Sequence, residues 1–427
     1  MELFLHVGMF VRRRRIGRVQ HVGSKMMELY LQFGYGMMEH CRTLVTGWDG
    51  GTVILSPRDL TDEQAGRLGT SIRDLPGGQL WLDPQFYLPH ADHERLCSHA
   101  YWPQNYETGM FWQGPALTTL LDELARLNDR LATSAYVLPG ILAASISDDW
   151  FATQEAVLEE AIARNYGRPI VSTIALSAEV VTREDQIALL LERAEKWKTS
   201  GYYLVCEHPN GQYLVDNANW LANVIDLAAG LRLTGANVVL GYCNHQMLIA
   251  GLAKVNAIVS GTWMNVRSFP PEKFNSQFED EMKQRATWYY CPQALSEYKI
   301  PFLDIAQRFR LLDRLAPPPD LDGGYASVLF SGAQPSSVGF TEQMAFRHYL
   351  HCLRGQARSA QRDTFDDTVA AHRELLDTAE KLLATLAASG IRGQLRDFRD
   401  IVDVNRAALE LFVSLRGAIL RRRWTSL

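Results

Sequence analysis

Gln79–Tyr87 reads QLWLDPQFY, an apolar strand that runs into an aspartate, a proline and two aromatics. A carboxylate at the carboxyl end of a buried parallel strand stands where (β/α)8 barrels keep their chemistry, because the loops leaving that end build the active site. The pattern recurs along the chain. TVILSPRD (52–59), SAYVLPGI (134–141), PIVSTIALS (169–177), GYYLVCEH (201–208), NVVLGYC (237–243), AIVSGTWMN (257–265) and TWYYCPQ (287–293) are also short apolar runs that break into polar residues, and with 79–85 they make eight candidate strands. Helical spacing fills the intervals 61–75, 116–131, 147–165, 182–200, 217–233, 245–255 and 272–285, with a further run at 294–313. Thr61 with Gln64 has the pattern of a capping box, and Gly201 and Gly235 follow helical runs as helix-ending glycines do.

Alternation of buried strands with helices predicts parallel pairing through right-handed crossovers. Eight such units predict an α/β protein with a (β/α)8 TIM-type barrel. The alternative is an open doubly wound sheet, but the first βα turn, SPRDLTDE, lacks the glycine-rich phosphate loop of a dinucleotide fold. The expected division is an N-terminal extension (1–51), the barrel (52–315), a Pro/Gly-rich linker (316–340) and a C-terminal helical domain (341–427).

Composition sets limits on the function classes. With 427 residues, 47% hydrophobic, 21% charged and a net charge of −5, the chain is ordinary globular protein with enough apolar residues for a full core. Its first eleven residues, MELFLHVGMFV, precede Arg12–Arg15, the reverse of a secretory signal, and are too short to span a bilayer, so no membrane association is expected. Six scattered cysteines without paired spacing point to reduced thiols and a cytoplasmic setting.

The strand ends offer the candidate site. Asp83 and Glu207 are the candidate catalytic carboxylates, and Ser56, Arg58, Gln85, Asn244, His245, Ser260, Trp263, Asn265 and Arg267 are candidate ligand-binding residues around them. A ring of donors and acceptors about two carboxylates suits a polar heterocycle. Strand-terminal Asp, Asn and Ser also cap helices, and Arg often pairs with Asp, so each residue has a purely structural reading beside the functional one. The long connection 86–115 carries seven aromatics and three histidines, and reads either as a platform for a flat ring or as a small satellite core. His90, His93, Cys97 and His99 are of metal-ligand type, but their spacing matches no strong zinc pattern; neither metal nor cofactor is expected.

On these motifs the chain resembles the transglycosylase superfamily that exchanges guanine for 7-deazaguanine bases in tRNA, and most of all its DNA-modifying and defence-associated relatives. LDPQFY (82–87) resembles the family's strand-two aspartate motif, VCEHPNG (205–211) stands in the place of its strand-five motif, VVLGYCNHQ (238–246) in that of strand six, and IVSGTWMNVR (258–267) in that of strand seven. The resemblance spans roughly residues 52–315 and implies that Asp83 contacts the base and moves protons. It also shows departures. Val259–Ser260 occupies the place of the family's nucleophilic aspartate, and of its zinc cysteines only Cys291 remains.

Three functions follow as expectations. The first is a divergent base-exchange enzyme, a pentosyltransferase, in which Glu207 attacks the anomeric carbon and Asp83 is the acid/base. The second is a catalytically silent barrel that binds a deazaguanine, nucleic acid or a protein partner, a second copy included. The third is an unrelated barrel lyase or hydrolase using Asp83 and Glu207. Clumped arginines, foremost Arg12, Arg13, Arg14 and Arg15, are candidate phosphate contacts, so nucleic acid is the expected partner, DNA ahead of tRNA, with a purine or 7-deazapurine as the small molecule.

Overall fold

The computed structural model describes residues 26–104, 112–278 and 286–427. Nine strands form one sheet: β1 (Glu28–Gln32), β2 (Gly51–Leu55), β3 (Gly78–Leu82), β4 (Tyr136–Val137), β5 (Leu142–Ala143), β6 (Ile170–Leu176), β7 (Gly201–Cys206), β8 (Asn237–Leu240) and β9 (Ala257–Ser260). Their order is β3-β2-β1-β9-β8-β7-β6-β4, with β5 added to β6, and every pairing is parallel. All six residues of β7 and all four of β9 are buried, as expected of strands covered on both faces. The two strands that end this order also meet: Ser134, just before β4, donates its N–H to Leu80 O of β3 at 2.9 Å, and Trp81 Nε1 donates to Ser134 Oγ at 3.1 Å.

The sheet loses one expected strand and gains two, β1 and the short β5. Trp288–Cys291 (β10), expected as the eighth parallel strand, pairs antiparallel with Ser296–Lys299 (β11) in a separate hairpin. Its apolar side chains serve the C-terminal helices instead: the Tyr289 ring stacks on His348 with centroids 4.9 Å apart, and Tyr290 Oη donates to Gln356 Oε1 at 2.8 Å. The longer of the two gained strands is β1, drawn from the stretch expected to flank the barrel. It sits between β2 and β9, with Leu31 opposite Val53 on one side and Tyr30 opposite Val259 on the other.

Local signals place the connecting helices. Thr61 and Gln64 make both bonds of a capping box ahead of the helix Asp62–Arg73, and Gly235, at φ 92°, follows the helix Ala218–Leu233. The connection after β8 is a buried 3-10 helix, His245–Ala253, in place of an α-helix. The tail forms three long helices, Glu342–Ser359, Phe365–Ala388 and Val402–Arg423, which share one continuous core with the sheet. Polar clasps fix them there: Arg416 grips Asp226 at 2.6 and 3.1 Å, Arg358 reaches Glu28 of β1 at 2.9 Å, and Gln246 donates to Asn405 at 2.9 Å. All six cysteines are free thiols, and no described helix is long and apolar enough to cross a membrane.

The position of β1 has a measurable consequence. Leu31 is wholly buried between two neighbouring strands, so Leu31→Ala should cost about 2–5 kcal/mol in denaturant unfolding, as for other core leucines. A side chain in a loosely attached flank would change the midpoint hardly at all.

Candidate active site

Asp83 is where β3 ends and the backbone leaves the sheet. Its N–H still bonds Leu55 O of β2 at 3.1 Å, after which Pro84, lacking an N–H, takes the chain out of the ladder. Gln85 then adopts a left-handed conformation, φ 54°, which brings its N–H to 2.9 Å from Asp83 Oδ1. The fully buried carboxylate collects two further donors: Tyr87 Oη lies 2.9 Å from both oxygens, and Tyr242 Oη, beyond β8, lies 2.9 Å from Oδ2. Gln85 knits a second layer around them. Its Nε2 donates to Tyr242 Oη at 3.2 Å, and its Oε1 accepts from Ser56 Oγ at 3.1 Å and from the Arg58 N–H at 2.9 Å. Burial pushes the Asp83 carboxyl up to about 6, against the pull of the Gln85, Tyr87 and Tyr242 hydrogen bonds and the ammonium of Lys273.

Gln85 thus joins Asp83 directly, and Ser56 reaches it only through the Gln85 side chain. Arg58 contributes its backbone, while its guanidinium bonds Lys273 O at 2.7 Å and Asp59 at 3.0 Å. Asn265 also enters through its backbone, as the acceptor for Lys273 Nζ at 2.9 Å. Glu207 lies apart. Its Oε2 accepts the Ala178 N–H at 3.0 Å, at the start of the turn Ala178–Val181, and among the described residues no hydrogen bond joins it to Asp83. Trp263 donates to Tyr35 O at 2.9 Å, and Asn244 caps the turn after β8 while donating to Tyr213 O at 2.5 Å.

Arg267, His245 and Ser260 belong to a second buried centre. Arg267 donates to Gly261 O at 2.9 Å and to Glu297 Oε2 at 3.2 Å, and its guanidinium lies 3.5 Å over the Tyr349 ring. Glu297 also receives Arg396 at 2.8 Å and Tyr213 Oη at 2.8 Å. Burial alone would raise this carboxyl, but Arg396 and Arg267 outweigh it and hold it at about 2. His245 packs against Tyr290 and Phe398, and burial lowers it to about 4, so it is neutral at physiological pH. Ser260 lies beside the Tyr349 hydroxyl.

Tyr87, Tyr242, Lys273, Tyr213, Glu297 and Arg396 are the members that sequence reading passed over. Tyr242 had one signal, its place just past the end of an apolar strand; Glu297 had none, since its partners lie 30 and 99 residues away. In the loop after β3, Phe86, Tyr101 and Trp102 are buried and packed on one another, which is the satellite-core arrangement. His99 bonds Asp62 at 2.8 Å and Cys97 bonds Ala91 O at 3.2 Å; among the described residues no three metal-binding side chains gather. His90, Asp92, Glu272, Asn275, Gln277 and Phe278 line an open cleft between this loop and the one after β9. Arg12, Arg13, Arg14 and Arg15 lie outside the described residues.

No family model and no curated protein sequence matches this chain. Solved structures that align with it include the carboxyl transferase domain of Rhizobium etli pyruvate carboxylase, at 12% identity and a TM-score of 0.35 over 91% of this chain. The chain spans 61% of the length of that domain. Nitroalkane oxidase from Streptomyces ansochromogenes aligns at 12% identity and 0.28, over 91% of this chain and 96% of its own. An enoyl reductase domain from the macrolactin biosynthesis cluster of Bacillus amyloliquefaciens aligns at 10% and 0.30, over 93% and 96%.

Glu297 makes the second centre testable. Its folded value is depressed from the ordinary 4.5, so its contribution to stability is complete above about pH 4.5 and fades as pH falls toward 2. Glu297→Gln leaves Arg267 buried without its anion and should cost about 3–5 kcal/mol. It should also flatten the acid limb of a stability-against-pH curve measured by urea unfolding.

Proposed function

We propose that this chain handles a guanine-type base of nucleic acid, guanine or a 7-deazaguanine, at the carboxyl-terminal mouth of a closed (β/α)8 barrel, in the manner of the transglycosylases its motifs resemble. Closure is supported by the Leu80–Ser134 and Trp81–Ser134 bonds, which bring the last strand of the sheet back to the first. The single observation that carries the chemistry is Asp83: a carboxyl at a strand end, ringed by three segments of chain and brought to about 6 by burial. Such a group accepts the ring N–H of a guanine when ionised and returns a proton to a leaving base when protonated, both near neutral pH. DNA is favoured over tRNA as the polymer because the motifs stand nearest the DNA-modifying relatives.

The covalent step asks for a nucleophile. Val259 and Ser260 fill the place where the resemblance sets it, and the Glu207 carboxylate is engaged at Ala178 N–H. Those two facts favour a second reading, in which the barrel binds the base and a partner protein supplies the chemistry.

Mass spectrometry of bulk DNA and tRNA from cells with and without the protein separates the two: a deazapurine that depends on this chain, and is lost in Asp83→Asn, supports base exchange. For binding, Asp83→Asn replaces an acceptor oxygen with a donor and leaves a ring N–H unsatisfied, at about 1–3 kcal/mol or more where charge assists the bond. Calorimetric affinity for a 7-deazaguanine should fall about tenfold to a few hundredfold, with a lower melting temperature because the buried donors Tyr87 and Tyr242 lose an acceptor. Unchanged affinity with a lower melting temperature would mean that Asp83 merely holds the loop after β3, and the base-handling reading would be dropped.

A further inference from the structure

The last long helix, Val402–Arg423, has an outer face that is apolar along its middle and oppositely charged at its two ends. Its inner side is fixed in the core by Ala408, Leu409, Phe412 and Leu420, all wholly buried. On the solvent side Ala407, Leu411, Leu415 and Ala418 recur at three- and four-residue steps and so line up in one stripe. All four are exposed, Leu411 by 41% and Leu415 by 58%. At the amino-terminal end Asp403, 88% exposed, meets Arg406 at 2.7 Å, but the same guanidinium also serves Asp377 at 3.0 Å and Glu380 at 2.9 Å, so three carboxylates share one cation. The other end is basic. Arg421 is paired with Asp366 at 2.8 Å, whereas Arg422 and Arg423 bond only the carbonyls of Ala418 and Leu233, and among the described residues neither has a carboxylate partner.

We propose that this face is the contact between two copies of the chain, packed antiparallel about a twofold axis that passes between Leu411 and Leu415. A twofold contact has to be complementary to itself, since each copy presents the same patch to the other. The stripe meets that condition when its direction is reversed: Asp403, Ala407 and Leu411 of one copy then lie opposite Arg422, Ala418 and Leu415 of its partner. The alanines allow the helices to approach, the leucines leave water, and the acidic end of each helix meets the basic end of the other. The antiparallel sense also sets opposite helix dipoles side by side. A parallel pair would bring the arginines together, and nucleic acid bound along the arginines would leave both leucines in water. The inference goes beyond the base-handling reading and does not depend on it.

Sedimentation equilibrium of the full chain tests it. A contact limited to one pair of helices lies at the small end of specific interfaces, so a reversible dimer with a Kd on the order of 1–100 µM is expected, weakened by salt. Leu415→Asp should raise that Kd by about tenfold or more without lowering the melting temperature, because the side chain is exposed in the monomer. Asp403→Arg and Arg422→Glu should each weaken the dimer alone. Their equimolar mixture should regain it, because every 403–422 pair across the axis is then opposite in sign. A chain that stays monomeric up to about 300 µM overturns the proposal. So does a dimer that Leu415→Asp leaves as tight as before, or a mixture that associates no better than its separate members. Should Asp403→Arg fail to fold, Leu415→Asp decides.

Discussion

Parallel strands present two apolar faces, and every pairing among β1 to β9 is parallel, so the chain has to cover its sheet on both sides. Most of the architecture answers that requirement. The helices between strands cover part of it, and the three tail helices complete it, clasped by Arg416 on Asp226 and Arg358 on Glu28. The tail is therefore part of the sheet's own core, and its helices share one apolar cluster with the strands. The hairpin β10–β11 lies between sheet and tail and lends its tyrosines to the joint.

At the carboxyl ends of the strands the governing term changes from apolar area to charge. Two carboxylates, both buried, come out on opposite sides of their ordinary values. Asp83 is met mostly by neutral donors, so burial wins and its carboxyl rises to about 6. Glu297 is met by two guanidiniums, so the cations win and its carboxyl drops to about 2. The first can exchange a proton near neutral pH; the second is a permanent anion that fastens Arg267 of the sheet side to Arg396 of the tail.

Much of this was legible in the residues, and the failures have physical causes. The strands with uninterrupted apolar runs, such as GYYLVC and PIVSTIAL, were recognisable because burial on both faces leaves no polar alternation. WYYC has the same look, yet it pairs in a hairpin, since apolar character says that a segment is buried and not what buries it. ELYLQ, with its glutamate and glutamine, is weaker as a pattern, but its neighbours on both sides bury it in the sheet. Asp83 stood out because Pro84 and the aromatics mark the end of a strand; Glu207, a candidate by its strand-end place alone, bonds a backbone N–H elsewhere.

The sequence by itself determined the alternation of strand and helix, the parallel sense of the sheet and the strand end that carries Asp83, because each of these is written in local periodicity and punctuation. Tertiary structure alone decided which strand completes the sheet and which groups surround the carboxylate. Tyr242 meets Asp83 across 159 residues of sequence, and Glu297 meets Arg267 and Arg396 across 30 and 99. A hydrogen bond or ion pair acts over about 3 Å of space, a distance that no spacing along the chain can express.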